Sequence, residues 1–203
     1  MLASPHFHIG MIGQKLSHYR VLSELGHGGM GVVYRARDET LGRDVALKLL
    51  PSNTLADPAA RDRLLHEART ASALNHPHIC TIYEAGEAGG QIFFAMELVD
   101  GRPLRELIPA GGLPAESVVR YGSQIADALA HTHERGVIHR DLKPGNLMVT
   151  REGRTKVLDF GLARHQSREE LEDATKSRLS AEETPSVAGT LAYAAGAHYR
   201  PAD

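Results

Sequence analysis

This sequence has almost no cysteine and no excess of charge of one sign. Cys80 is the single cysteine in 203 residues, so the chain cannot form an internal disulfide, and a reducing compartment is expected. The 23 Lys and Arg residues are balanced by 25 Asp and Glu residues. Binding to nucleic acid or to an anionic membrane surface needs clustered positive charge, so we expect neither as the main partner.

Long apolar runs are missing as well. No run approaches the roughly 18 apolar residues of a membrane span, and the first ten residues lack the basic region and apolar stretch of a secretory signal. We therefore expect a cytoplasmic chain without a membrane span. The composition, 42% hydrophobic and 24% charged, is typical of a globular protein that is large enough to bury a core.

The first half of the chain is predicted to be rich in strands. Residues 1–18 are expected to form a flexible lead-in, and residues 19–100 a β-rich unit with one helix, because short alternating apolar runs are separated by glycine-rich turns. We predict five strands and one helix, the strands at 19–25, 32–34, 44–50, 80–83 and 91–98 and the helix at 58–74.

The second half is predicted to be mainly helical. Apolar residues recur at helical spacing over 114–135, which indicates an amphipathic helix that Gly136 ends. Two short strands are expected at 147–150 and 155–158. Residues 101–203 therefore form a second, helical unit, and the predicted fold class is α+β.

A glycine-rich segment lies between the first two predicted strands. Residues 26–33 match G-x-G-x-x-G-x-V, in which backbone amides can approach phosphate oxygens because no Cβ is in the way. Alone the pattern is weak, since a plain hairpin turn also uses glycines. A dinucleotide-binding fingerprint needs a helix directly after the glycines, whereas Val32, Val33 and Tyr34 favour a strand. A phosphate-binding hairpin is the better of the two phosphate interpretations.

Lys48 ends the apolar run Val45-Ala46-Leu47 inside a predicted strand. An unpaired ammonium is costly there, so the residue needs an anionic partner. For an isolated lysine, a side chain that reaches water along the strand edge is the simpler interpretation.

The most informative segment is residues 139–146, which read HRDLKPGN and are followed by Asp159-Phe160-Gly161. A candidate base, a phosphate-contacting lysine and two oxygen-bearing metal ligands occur here in the order used in kinase-type phosphoryl transfer. From Tyr19 to Tyr193 the chain closely resembles the catalytic domain of bacterial serine/threonine protein kinases of the eukaryotic type. The resemblance implies a two-lobed, protein-kinase-like fold with ATP and Mg²⁺ bound between the lobes.

The resemblance implies a role for the polar residues of this segment. Asp141 would accept or orient the proton of the attacking hydroxyl, and Lys143 would neutralise charge on the transferred phosphoryl group. Asn146 and Asp159 would hold Mg²⁺. The aromatic rings of the segment, those of His139 and Phe160, would pack as internal supports.

The same resemblance assigns the residues that bind the nucleotide. Lys48 would contact the α- and β-phosphates and pair with Glu67 from the middle of the predicted helix. Met96 would occupy the gatekeeper position, and Glu97 and Val99 would offer main-chain hydrogen bonds to adenine. The complete nucleotide-binding set is Gly26, Gly28, Gly31, Val33, Lys48, Glu97 and Val99.

The expected partner is a protein substrate with a Ser or Thr acceptor, because a lysine two residues after the catalytic aspartate resembles the serine/threonine kinases. Autophosphorylation is possible in the polar loop 164–190, where a phosphate would supply strong acceptors for Arg140. Thr190 matches the family threonine that contacts the catalytic aspartate and lysine. Which hydroxyl is modified, if any, stays open among Thr175, Ser177, Ser180, Thr184 and Ser186.

The resemblance is expected to fail after Tyr193. Residues 195–197 read AGA where the family has Ala-Pro-Glu, so a helical lobe truncated after the activation segment is predicted. The later helices of the family normally cover the apolar underside of the helix predicted at 114–135. Leaving several hundred Å² of it exposed, at ~25 cal/mol per Å², would lower the folding stability by on the order of 10 kcal/mol.

The predicted function is a serine/threonine protein kinase that transfers the γ-phosphoryl group of ATP to Ser and Thr hydroxyls of proteins, and transfer by this 203-residue chain is expected to be weak or absent. The alternative is a truncated, catalytically impaired nucleotide-binding or regulatory module, or the product of a broken gene.

Twelve histidines also suggest a metal centre. His131 and His133 face different directions on the predicted helix, however, and His76 and His78 flank Pro77 in a connector. Packing and surface roles are therefore the preferred interpretation.

Overall fold

An antiparallel sheet forms the first half of the computed structural model, which describes residues 11–28, 31–51 and 58–160. Its six strands are β1 (Lys15–Leu16), β2 (Tyr19–Gly28), β3 (Gly31–Asp38), β4 (Arg43–Leu49), β5 (Ile82–Ala88) and β6 (Gln91–Glu97). They pair in the order β1-β2-β3-β4-β6-β5. The sheet follows the chain except at its far edge, where β6 lies between β4 and β5.

Alternating side chains give this sheet two buried faces, as a pleated strand requires. The first face carries a cluster of mostly aromatic and aliphatic residues that includes Tyr19, Tyr34 and Phe93. On the second face, helix α1 (Pro58–Ser72) packs Leu64 and Ala68 into a cluster with strand residues of β4 and β6. A sheet covered on both faces holds the residues of β4 and β6 firmly in place.

The sheet has one strand more than predicted. Lys15 and Leu16 pair with Arg20 and Tyr19 as β1, and Leu16 is buried in the first cluster. The expectation of a flexible lead-in over all of residues 1–18 is therefore wrong for this part. A two-residue strand is too short to show periodicity, and burial against the sheet rather than local pattern stabilises it.

Strand β5 begins two residues later than the predicted strand 80–83. The backbone N–H of Cys80 donates instead to the carbonyl of Val157 in the second half of the chain. Gly86 lies inside β5, where a Cβ would press on the Phe93 ring. The remaining predicted strands of the first half and the predicted helix agree with the observed elements apart from their ends.

The second half contains a small sheet and a long helix. Its elements are β7 (Gly101–Pro103), α2 (Leu104–Leu107), α3 (Ala115–His133), a 3₁₀ turn (Pro144–Asn146), β8 (Leu147–Thr150) and β9 (Thr155–Val157). The strands pair in the order β7-β8-β9. Gly136 ends the segment after α3 as predicted, with φ +72° and its N–H donated to the carbonyl of His133.

The two halves share backbone hydrogen bonds and a core. Ile79 and Val157 form a parallel bridge, flanked by a 2.9 Å hydrogen bond from the Val157 N–H to the carbonyl of His78. One buried cluster joins Ala71 and Leu74 of the first half to residues of α3, β8 and β9. The two antiparallel sheets and the separate helices confirm the predicted α+β class. Within the described ranges, none of the helices combines the length and the apolar character that a membrane crossing requires.

Candidate active site

Asp141, Lys143 and Asn146 form one hydrogen-bonded unit. The Lys143 ammonium lies 2.6 Å from Oδ2 of Asp141, and Nδ2 of Asn146 donates to the same oxygen at 3.0 Å and to the Asp141 carbonyl at 2.8 Å. The Asp141 side chain is 12% exposed. Among the described residues, both of these side-chain contacts use Oδ2, and Oδ1 of Asp141 has the lone pairs to accept a hydrogen bond from another group.

The His139 ring packs against this unit and forms hydrogen bonds with nearby backbone groups. Its Nε2 donates to the carbonyl of Leu158 at 2.8 Å, and its Nδ1 accepts the backbone N–H of Asp141 at 3.3 Å. This arrangement requires the neutral ring with hydrogen on Nε2, and burial lowers the pKa of His139 below its usual value. The ring packs edge-to-face on Phe160, with centroids 4.7 Å apart. The predicted packing role of both residues is confirmed.

Lys48 is buried, with 4% of its surface exposed, and its Nζ lies 2.9 Å from Oδ2 of Asp159. Asp159 has φ +59°, and Arg140 has φ +66°. Non-glycine residues rarely adopt this left-handed conformation, which concentrates at functional sites. The anion that the Lys48 ammonium needs is thus supplied by Asp159, a residue from the other half of the chain.

Glu67 lies on α1, facing inward. Its Oε2 is buried, and the neighbouring α1 residues Leu64 and Ala71 are buried in the core. The structure shows the ion pair of Lys48 with Asp159, and the Lys48–Glu67 pair that the resemblance implies stays a prediction.

The glycine-rich hairpin connects β2 to β3. Gly28 pairs with Gly31, and Gly26 pairs with Val33. Gly31 is required locally, because it has φ +103° and a Cβ would overlap the carbonyl oxygen of Leu49. A Cβ at Gly26 or Gly28 would meet nothing within 4 Å. Open space over these two glycines fits a surface that a phosphate group could approach.

Three of the residues expected in the nucleotide site share one apolar cluster. Met96 is buried in it beside its cross-strand partner Ala46, and Val33 and Val99 pack against it half-buried. The carbonyl of Glu97 accepts the Cys80 thiol at 3.6 Å. Burial raises the pKa of that thiol to about 12, so Cys80 is a packing residue rather than a nucleophile.

Comparison with known proteins agrees with this geometry. The family described as "Protein kinase domain" matches residues 19–197. The chain belongs to the protein kinase family. The family match extends to residue 197, which is four residues past Tyr193, the point after which the resemblance was expected to fail.

Several bacterial kinases are similar to the chain. A probable serine/threonine-protein kinase of Streptomyces coelicolor is 39% identical over 86% of this chain and 26% of its own length. PrkC of Bacillus subtilis is 40% identical over 75% of this chain and 24% of its own length. The PknI kinase domain of Mycobacterium tuberculosis superposes with a TM-score of 0.66 at 35% identity, over 75% of this chain and 61% of that domain. The chain spans about a quarter of the length of the curated relatives.

The structure joins Asp141 to Lys143 and Asn146 and pairs Lys48 with Asp159, and some predicted site residues lie outside its description. Gly161, the loop 164–190 with its candidate phosphorylation sites and Thr190, and residues 195–197 lie outside the described residues. Within the described ranges, no group of three or more His, Cys, Asp and Glu side chains is placed to hold a metal ion by itself. Sequence reasoning missed Lys156, which forms an ion pair with Glu97. The only sequence signal for it was its position in a short predicted strand, three residues before Asp159.

Proposed function

We propose that this kinase-family chain transfers the γ-phosphoryl group of ATP to Ser and Thr hydroxyls of proteins. The unit of Asp141, Lys143 and Asn146, with Oδ1 of Asp141 left to accept a proton, is the observation that carries the proposal. The similar proteins named above are serine/threonine-protein kinases, which favours transfer over a purely regulatory module. Members of the family use ATP and Mg²⁺.

The side chains around Asp159 fit a Mg²⁺ ion chemically. Asn146 uses Nδ2 for its two hydrogen bonds to Asp141, so its Oδ1 is the atom available to a cation. Asp159 adds a carboxylate, and Mg²⁺ prefers such hard oxygen ligands. When bound, Mg²⁺ would neutralise charge on the phosphate oxygens.

The chain's own residues would position the reactants. Lys48 and the backbone of Gly26, Gly28 and Gly31 would bind the phosphates, with Glu67 supporting Lys48. The ring of adenine would lie against Val33, with main-chain hydrogen bonds to Glu97 and Val99. Asp141 would take the proton of the acceptor hydroxyl, and Lys143 would bind the γ-phosphoryl group. Protein kinases gain most of their rate from such positioning and charge stabilisation.

The proposed partner is a protein with a Ser or Thr acceptor, and the loop 164–190 is proposed as an autophosphorylation substrate. Arg140 is exposed beside Asp141 and could bind a phosphate group on that loop through paired N–H donors. We propose a cytoplasmic location, where ATP is available.

Phosphate transfer from labelled ATP tests the proposal. The purified 203-residue chain is incubated with Mg²⁺, γ-labelled ATP and a generic basic protein. Replacing Asp141 by Asn removes the base without changing the shape of the side chain, and we expect label incorporation to fall by about 10² or more. Arg151→Met, which removes an exposed cation paired with Asp100, is the matched control and should keep the wild-type rate. Incorporation that is absent in the wild type, or unchanged in Asp141→Asn, would overturn the proposal.

A further inference from the structure

Lys156 ties the end of β6 to β9. Its Nζ donates to Oε2 of Glu97 at 2.8 Å and to the carbonyl of Ile79 at 3.4 Å. The same carboxylate oxygen accepts the backbone N–H of Thr81 at 3.3 Å. The four residues come from three separate segments of the chain. One ion pair therefore fixes the position of the residue with which β6 ends relative to the second sheet.

This ion pair is largely shielded from water. The side chain of Lys156 is 16% exposed and that of Glu97 is 25% exposed. Hydrogen bonds between two charged groups are shorter and stronger than neutral ones, and partial burial reduces their screening. Without the Lys156 ammonium, the half-buried Glu97 carboxylate would keep only the Thr81 N–H as a donor among the described residues. The Glu97 side chain would therefore turn towards solvent.

The backbone of Glu97 is held at the same point. Its N–H donates to the carbonyl of Thr81 at 2.9 Å, and its carbonyl accepts the thiol of Cys80 at 3.6 Å. A thiol is a weak donor and a carbonyl has two lone pairs, so this oxygen can still accept a second hydrogen bond. The side-chain tie and the N–H bond together determine where that oxygen points.

We propose that Lys156 is a positioning residue that acts through Glu97 to set the preference for ATP over GTP. The inference rests on the proposed function, in which the main chain of Glu97 hydrogen-bonds adenine. Because the Glu97 N–H already donates to the carbonyl of Thr81, the Glu97 carbonyl is the atom that would accept the amino group of adenine. Guanine carries a carbonyl at the corresponding ring position, and two acceptors that face each other repel. A carbonyl held in place thus favours adenine and disfavours guanine, whereas a loosened one loses this distinction.

Nucleotide titration of the whole chain tests the inference without requiring phosphoryl transfer. Dissociation constants for Mg²⁺-ATP and Mg²⁺-GTP are measured for the wild type and for Lys156→Met. We expect ATP affinity to fall about ten-fold and GTP affinity to change less than about two-fold, because only adenine uses the positioned acceptor. Lys156→Arg, which keeps a cation, should restore most of the ATP preference.

Two further variants control the experiment. Arg154→Met removes an exposed cation just before β9 and should bind both nucleotides as the wild type does. Glu97→Gln keeps the side-chain shape but weakens the ion pair with Lys156, so it should also lower the preference for ATP. The double variant with Lys156→Met should show little further loss of this preference. Circular dichroism establishes that each variant is folded, and if Lys156→Met does not fold, Glu97→Gln decides the question.

The outcomes separate the two proposals. A wild-type chain that binds neither nucleotide contradicts the proposed function, whereas a wild-type chain that binds both equally has no ATP preference for Lys156 to set and overturns the inference. A wild type that prefers ATP, with the same preference in Lys156→Met and Glu97→Gln, overturns the positioning role alone. An equal loss of both nucleotides in Lys156→Met indicates a merely structural role and also contradicts the inference.

Discussion

The Lys48 ammonium and the Asp159 carboxylate lie 2.9 Å apart, measured from Nζ to Oδ2. Lys48 belongs to β4 of the first sheet, and Asp159 follows β9 of the second. The pair therefore links a proposed phosphate-binding residue directly to a proposed Mg²⁺ ligand across the two halves of the chain. The left-handed backbone of Asp159, at φ +59°, is maintained by its surroundings, as is common at functional sites.

Replacing Lys48 by Met should weaken nucleotide binding. The variant keeps the apolar stem but removes the ammonium, so the phosphates lose a charged partner and Asp159 loses its ion pair. We expect the affinity for Mg²⁺-ATP to fall at least about ten-fold, measured by titration calorimetry. Lys15→Met removes an exposed lysine paired with Glu39 and serves as the control. Equal affinities in the two variants would contradict the assignment of Lys48.

Two glycines of the hairpin should respond differently to alanine. Gly31→Ala forces a Cβ against the Leu49 carbonyl at φ +103° and should lower the free energy of unfolding by about 2 kcal/mol or more. Gly28→Ala meets open space and should change it by less than about 1 kcal/mol, while ATP affinity falls because a methyl group covers the proposed phosphate surface. Urea denaturation and ATP titration of both variants check this, and a Gly31→Ala chain as stable as the wild type would refute the expected clash with Leu49.

His139 should make stability depend on pH. Burial lowers its pKa in the folded chain below the value of about 6.5 expected when unfolded, so the unfolded chain binds the proton more readily. The stabilisation is fully present above pH 6.5 and is lost as the pH falls below it. In His139→Gln, which keeps a donor for the Leu158 carbonyl, the free energy of unfolding should fall less between about pH 7.5 and pH 5.5 than in the wild type, by ~1 kcal/mol.

Urea denaturation at several pH values measures this difference. His76 also has a pKa lowered by burial and contributes its own pH dependence to both chains, so the comparison between wild type and variant isolates His139. Parallel pH profiles for the two chains would count against a neutral, buried His139.

Gln124 should be important for stability although it has no role in the proposed chemistry. Its Oε1 accepts both the N–H and the hydroxyl of Thr155, at 2.6 and 3.0 Å, and Thr155 is fully buried. Gln124→Ala leaves two buried donors without this acceptor and should cost about 2 kcal/mol. The neighbouring Ser123→Ala removes an exposed hydroxyl and should cost less than about 0.5 kcal/mol. Thermal unfolding of both variants provides the test, and similar midpoints would argue against the Gln124 tie.

Long periodic segments and contiguous motifs were predictable from the sequence. The helix expected at 58–74 is observed as α1, and the one at 114–135 as α3, because many successive residues report the same periodicity. The segment 139–146 was informative because its residues act together within one short loop. The strand expected at 80–83 was misplaced because Cys80 bonds to Val157, a partner that local pattern does not reveal.

Sequence by itself determined the α+β class, the family and the identity of the residues proposed for chemistry, since these depend on residue types at short, fixed spacings. Only the tertiary structure decided that Lys48 pairs with Asp159, that Lys156 holds Glu97, and that β1 is a strand. Each of these three features depends on how the chain packs against itself. The stabilisation of a buried ion pair or of a two-residue strand comes from the groups around it, which distant segments of the chain supply. Local sequence does not show which segments these are.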